Sequence, residues 1–273
     1  MSTAACSIAF HAELNGSAPT ADQLALAAVV NYGHFTVMQI RQHGLRGCSL
    51  HLERLDNATR ELFGWELSGE RVRGYIRHIL QGTDGSASVR VNVFSRDMWP
   101  NHMEAKGQPE VLVTINVPRA NVLTPFRVHS VKYQRDPAHI KHVGTFALFH
   151  YQRQARFNGY DDALFVDNDS AISEGTIWNV GFYDGQRVVF PASPALPGIT
   201  QMLIEAGLRE RRIPVEYRNL RLADLTELRS AFAMNTGAIG RPIASIDGMA
   251  FTIDDELTRT LVACHDSNPL EPV

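Results

Sequence analysis

Five short stretches hold side chains that could share one piece of chemistry. They are "HLERL" with Arg54, "AHIKHVG" with Lys141, "SEGTIWN" with Glu174, "PGIT" at 197–200 and "NTGA" at 235–238. Lys141 is one of only three lysines in 273 residues, with Lys106 and Lys132, in a chain that otherwise uses arginine. A lysine amine forms a Schiff base with a carbonyl, and a carboxylate holds a pyridine nitrogen protonated so that the ring accepts electrons. An arginine, hydroxyls and the unpaired N–H groups of a helix start hold a phosphate. Amine, acid and phosphate cup are together what pyridoxal 5′-phosphate requires. Each feature also has a plainer reading. Lys141 could be a solvated side chain, Glu174 a turn residue or cap, and Arg54 a helix-surface partner of Glu53 or Glu61. "GIT" could be an ordinary helix start and "NTGA" an ordinary turn.

The elements that must position these residues follow from hydrophobic period. "HFTVMQIR" (34–41) and "SVRVNVFS" (88–95) alternate as half-buried strands, and "EVLVTINVP" (110–118) reads as another. Between the first two, Leu52, Leu55 and Leu62, then Val72, Ile76 and Ile79, recur at helical spacing. "FRVHSVKYQ" (126–134) alternates again. "RDPAHIKHVG" (135–144) is a turn leading into an amphipathic helix, "FALFHYQRQARFNG", with Gly159 as its closing signal. "DALFVD" is expected as a strand, "NDSAISEG" as a turn carrying Glu174, and "TIWNVGFYDGQRVVFP" as a short strand and hairpin turning at Asp184-Gly185. Thr200 is expected to cap the helix that follows "PGIT". The segment from 216 to 248 reads as a short helix, a strand and a glycine-containing turn.

This mixed α/β (α+β) order lacks a GxGxxG entry, which disfavours a nicotinamide-binding unit. Length and a hydrophobic content of 44% allow two lobes. The expected division is a smaller N-terminal α/β lobe at 1–119, a connection at 120–125 and a larger C-terminal cofactor-binding lobe at 126–273. A net charge of -3 without like-charge blocks argues against nucleic acid or an anionic membrane surface as partner. No basic and apolar leader and no run of eighteen apolar residues are seen, so a cytoplasmic protein is expected. Cys6, Cys48 and Cys264 lie far apart, which suits reduced thiols. The eleven histidines show no HExxH or comparable cluster, so no metal is expected. His34, His129, His139 and His142 could each polarise a substrate or lie at the surface. Arg41, Arg96 and Arg135 are candidates for a carboxylate clamp, because guanidinium offers two parallel donors.

The order "DDALFVDNDSAISEGTIWNVGFYDGQRVVFP…PGIT" resembles the class IV, fold type IV, aminotransferases, from about Tyr32 to Gly248. That family includes branched-chain and D-amino acid aminotransferases and aminodeoxychorismate lyases. The resemblance implies that Lys141 is the Schiff-base lysine, Glu174 the pyridine-nitrogen partner and Arg54 a phosphate ligand. It implies further that Ile199, Thr200 and Thr236 complete the phosphate cup, with Gly237 facing cofactor and substrate and Asn179 beside the ring. Tyr32 and Thr36 fall on the segment that meets substrate. Two lobes, a homodimer with sites near the subunit interface, and a small-molecule amino donor and keto acid are implied as well. Three departures bear on substrate. Where the family commonly shows "YGDGVFE", this chain has "YGHFT", two residues shorter with Thr36 in place of the acid. Phe146 stands where branched-chain enzymes carry a tyrosine near the cofactor's phenolic oxygen. "KH" at 141–142 and "FT" at 35–36 are similar to the lyases. Aminotransferase chemistry is the leading expectation. Elimination of pyruvate by a lyase comes second, and a cofactor-free binding protein on the same fold third.

Overall fold

The structure is a computed structural model that describes residues 11–98, 103, 104 and 106–273. Cys6 and the first ten residues of the N-terminal reading lie outside the described residues. The chain divides into two compact units. Unit 1 comprises Met1–Arg119, Lys141–Gly144 and Leu270–Val273, and unit 2 comprises Ala120–Ile140 and Thr145–Pro269.

In chain order, unit 1 begins with β1 (His11–Leu14), α1 (Ala21–Val29), β2 (Gly33–Ile40), β3 (Gly44–Arg46), α2 (Cys48–Phe63), α3 (Gly69–Ile79), β4 (Ala87–Phe94) and β5 (Glu110–Asn116). Four strands form an antiparallel sheet in the order β1-β5-β4-β2, which leaves β2 at an edge. Alternation places Val89, Val91 and Val93 of β4 in a core with Leu52, Leu55, Val72 and Ile76 of the two longer helices. Each such side chain removed from water contributes about 1.5–3 kcal/mol. The glycines flanking α2, Gly47 and Gly64, both have positive φ, 70° and 67°, and so bound the helix where its sequence pattern ends. The even positions of β2 share one face. Met38 and Ile40 fill the core there, while His34 and Thr36 extend the same buried row with polar groups. Helix α2 answers with His51 and Thr59, polar residues on its buried side.

Unit 2 contains β6 (Phe126–Lys132), α4 (Phe146–Phe157), β7 (Asp162–Val166), β8 (Ile172–Gly175), β9 (Asn179–Tyr183), β10 (Val188–Pro191), α5 (Ile199–Glu210), β11 (Val215–Arg218), a 3-10 turn (Leu222–Glu227), β12 (Ser230–Asn235), β13 (Ala238–Ile246), β14 (Met249–Ala250) and α6 (Asp255–Asp266). Its strands run β11-β10-β9-β12-β13-β6-β7-β8, and β8 also pairs with β9 through Glu174 and Asn179. The strands from β9 round to β8 therefore close on themselves, around Phe126, Val128, Leu164, Ile172, Val180 and Phe182. Helices α5 and α6 meet outside the ring over Phe190, Phe232 and Met234.

Four details differ from the sequence reading. Residues 141–144 and 270–273 were expected in the second lobe but belong to unit 1. The first segment pairs with β2, and β15 (Leu270–Pro272) pairs with β3. Glu174 lies on a strand rather than in a turn, because the turn is complete by Ser170. Asp167 Oδ1 accepts from the amides of Asp169 and Ala171, and Ile172–Gly175 are left to pair with β7. Thr200 sits inside the first turn of α5, and the N-cap is Gly198. Elements β1, α1, β3, β11, β13, β14, α6 and β15 were not anticipated.

Candidate active site

Lys141 is brought to β2 by main-chain bonds. Phe35 N–H donates to the Lys141 carbonyl and Val143 N–H to the Gly33 carbonyl, both at 2.9 Å, so the segment extends the sheet edge. Its ammonium lies 5.0 Å from the centroid of the Phe35 ring, and the Arg90 guanidinium carbon lies 3.7 Å from the same centroid. Arg54 Nη2 donates to Thr36 Oγ1. Thr36 Oγ1 and His51 Nδ1 are 2.6 Å apart, and His34 Nε2 lies 2.9 Å from Thr59 Oγ1. All four of these last residues are sealed from water.

Burial keeps both histidines neutral. His34 is lowered to about 3 by desolvation and then by Arg54, and His51 falls well below its usual range from desolvation, then Arg54, then Lys141. Desolvation lowers Arg54 to about 10. Its Nε is buried and, among the described residues, has no hydrogen-bond partner. A buried guanidinium with an unfilled donor suits an anion.

The unit 2 candidates surround Leu196. Its N–H donates to Glu174 Oε2 at 3.4 Å, and its carbonyl accepts from Asn179 Nδ2 at 2.8 Å. Arg135 Nε donates to Glu174 Oε1 at 2.9 Å, with side chains only 3% and 4% exposed. Two residues beyond Leu196, Gly198 opens α5 with no side chain capping it, so the amides of Ile199 and Thr200 at the first turn lack helical acceptors. A Cβ on Gly198 would stand 1.9 Å from Asn179 Oδ1. Asn179 is flanked by Glu174 on one side and Met234 on the other. Thr236 and Gly237 form the turn after β12, where Gly237 N–H donates to Asn235 Oδ1 and its carbonyl accepts from Val122 N–H. The uncapped helix start and the glycine cradle are of the kind that accepts a phosphate.

The other candidates disperse. Arg96 places both donors on Glu110, at 2.6 and 2.7 Å, and thus clamps an internal carboxylate. Arg41 bonds to the Ile40 and Arg119 carbonyls. Arg135 has Glu174 as its carboxylate, which removes it from the substrate clamp expected of it. The Tyr32 hydroxyl donates to the Leu62 carbonyl at 3.4 Å. Phe146 opens α4, 78% exposed and stacked on His150. His129 bonds Asp247 and stacks on Tyr160. Sequence reasoning missed Arg90, His51 and Thr59. A signal existed for the last two, since histidine and threonine fall on the apolar stripe of α2. Among the described residues no three His, Cys, Asp or Glu gather as metal ligands, and no helix is long and apolar enough to cross a membrane.

Comparison with known proteins bears on the fold and the family. A "Probable branched-chain-amino-acid aminotransferase" of Rickettsia bellii is 27% identical over 170 residues, 59% of this chain and 58% of the relative. The chain thus spans little more than half of that relative's length. A branched-chain aminotransferase from Thermoproteus uzoniensis, solved with norvaline, superposes with a TM-score of 0.80 at 18% identity, covering 93% of each chain. A "Putative 4-amino-4-deoxychorismate lyase" from Legionella pneumophila gives 0.75 at 21% identity, covering 88% of this chain and 92% of that one. These likenesses establish the mixed α/β fold of the fold type IV aminotransferase structures. Residues 33–246 match the model of the family described as amino-transferase class IV. With most of its length matched in this way, the chain belongs to the class IV aminotransferase family.

Proposed function

We propose that the protein is a pyridoxal 5′-phosphate-dependent aminotransferase, moving an amino group between an amino acid or amine and a keto acid. The observation that carries this reading is the cation group of unit 1. Lys141 and Arg54 both bear electrostatically on one neutral, buried histidine, and the arginine has an unfilled donor. When bound, the cofactor supplies an electron sink for the pair left at the substrate α-carbon.

The residues divide the remaining work. Lys141 Nζ is the amine that would hold the cofactor at its aldehyde, and it would also carry the α-proton. Arg54, the α5 amides of Ile199 and Thr200, and Thr236 bind the phosphate. Glu174, whose Oε1 accepts from the adjacent Arg135 guanidinium, would hold a proton on the ring nitrogen. Asn179 fixes the Leu196 segment ahead of α5, and Gly237 keeps the neighbouring turn in place. Arg90 shares the Phe35 ring with Lys141 and, among the described residues, commits its Nε alone, to Asn92 Oδ1 at 2.7 Å. It is the arginine best suited to a substrate carboxylate, with Tyr32 and Thr36 on the neighbouring strand segment. A cytoplasmic homodimer acting on a small-molecule amino donor and a keto acid is part of this reading.

The pairs Phe35-Thr36 and Lys141-His142, similar to those of the lyases, favour one second reading, elimination of pyruvate from aminodeoxychorismate. A screen of half-reactions with L- and D-amino acids and (R)- and (S)-amines, followed by cofactor absorbance, separates the two. Conversion to the pyridoxamine form supports transamination, and pyruvate release without conversion supports the lyase. A protein that gains no absorbance on adding the cofactor excludes both.

A further inference from the structure

We infer that Thr36 and His51 form a relay that orients the Arg54 guanidinium, and so set how tightly the chain holds a phosphate monoester. The inference rests on the cofactor reading above and concerns how Thr36 and His51 act on Arg54, which that reading leaves open. A guanidinium only donates, so Thr36 Oγ1 accepts from Arg54 Nη2. Among the described residues, the Thr36 hydroxyl proton finds its acceptor in His51 Nδ1, 2.6 Å away. That direction requires the neutral imidazole with its proton on Nε2, and burial next to Arg54 and Lys141 maintains neutrality. The three groups therefore form a chain of fixed polarity: guanidinium to hydroxyl, hydroxyl to imidazole.

The residue type at 36 follows from electrostatics. A carboxylate in contact with Arg54 would form an ion pair, and an incoming phosphate would have to compete with it. A threonine hydroxyl gives the guanidinium a fixed acceptor and leaves its full positive charge for the ligand. His51 is the complement of that choice. A threonine with no acceptor for its proton would be free to rotate, and a protonated histidine would repel Arg54. Thr36 and His51 are positioning residues here, since they act through Arg54.

The test compares pyridoxal 5′-phosphate with pyridoxal, which lacks the phosphate, by absorbance titration of cofactor-stripped protein. In wild type the phosphate raises affinity, and Arg54→Ala lowers that advantage by about tenfold or more. Thr36→Val is expected to lower affinity for the phosphate form about fivefold with pyridoxal unchanged, Thr36→Ser to restore it, and Thr36→Val to add nothing in an Arg54→Ala background. Should Thr36→Val fail to fold, His51→Leu removes the acceptor end and is read in the same way. Equal loss for both ligands, equal loss with and without Arg54, or a wild-type ratio in these variants overturns the relay. An unchanged ratio in Arg54→Ala overturns it too, while continued binding of the phosphate form leaves the cofactor reading standing. Wild-type protein that binds neither ligand overturns both.

Discussion

Arg135 donates through Nε to Glu174 Oε1 over 2.9 Å, and both side chains are almost wholly removed from water. Glu174 is the carboxylate proposed to face the ring nitrogen. Glu174→Gln keeps an acceptor for Arg135 but removes the charge. Cofactor should remain bound, and proton abstraction should slow by about a hundredfold or more, roughly 2.7 kcal/mol of barrier. Single-turnover absorbance measures it. Thermal midpoint should fall as well, because a buried arginine loses its counter-charge, and Arg135→Met in the same chain should recover part of that loss. Unchanged turnover in Glu174→Gln would remove Glu174 from the ring nitrogen.

Arg90 makes a separate prediction. Arg90→Gln removes the cation that shares the Phe35 ring with Lys141. Charge-assisted bonds contribute about 1.5–3 kcal/mol, so KM for a carboxylate-bearing substrate should rise by roughly ten- to a hundredfold. A simple amine lacking the carboxylate should be little affected as donor. Equal losses for both donors would make Arg90 structural.

Gly198 is a question of space. A methyl group there meets Asn179 Oδ1 at 1.9 Å, so Gly198→Ala must displace the amide that holds the Leu196 carbonyl. A cost of about 1–3 kcal/mol in stability is expected, with weaker cofactor binding, since the start of α5 loses its support. In an Asn179→Ala background the same substitution should cost far less, because the clashing atom is gone. Denaturant titration of the four proteins in this cycle provides the measurement.

Acid sensitivity follows from His34. The fold holds it neutral down to about pH 3, whereas the unfolded chain takes up a proton near 6.5. The unfolded state therefore binds more protons in that interval. The stability contribution is complete above about pH 6.5 and is lost as pH falls toward 3, at roughly 1.4 kcal/mol per unit. Buried His51 acts in the same direction. His34→Gln should flatten the dependence of unfolding free energy on pH between 4 and 6.5. A slope equal to wild type would mean that His34 is already accessible to protons.

Much of the fold was legible because strands such as Ala87–Phe94 alternate cleanly, and because Leu52, Leu55 and Leu62 recur at helical spacing along the helix that carries Arg54. The site was legible as residue types in order. Their local settings were less so. Glu174 was expected in a turn because "NDSAISEG" is rich in turn formers, yet Asp167 completes that turn within four residues and frees the glutamate for a strand. Arg96 and Arg135 looked like substrate clamps because sequence does not reveal which carboxylate a guanidinium meets across 14 or 39 residues. Thr36 was seen as a departure from the family. Its bond to His51, 15 residues on, comes from a strand and a helix each turning a polar residue into the same core.

The central claim is that Lys141 is the amine that carries the cofactor, and it can be read directly. Protein loaded with pyridoxal 5′-phosphate is reduced with borohydride, digested, and its modified peptide sequenced. The account requires the label on Lys141, and none in Lys141→Ala protein that retains its fold. A label on Lys106 or Lys132, the two other lysines in the chain, would contradict it.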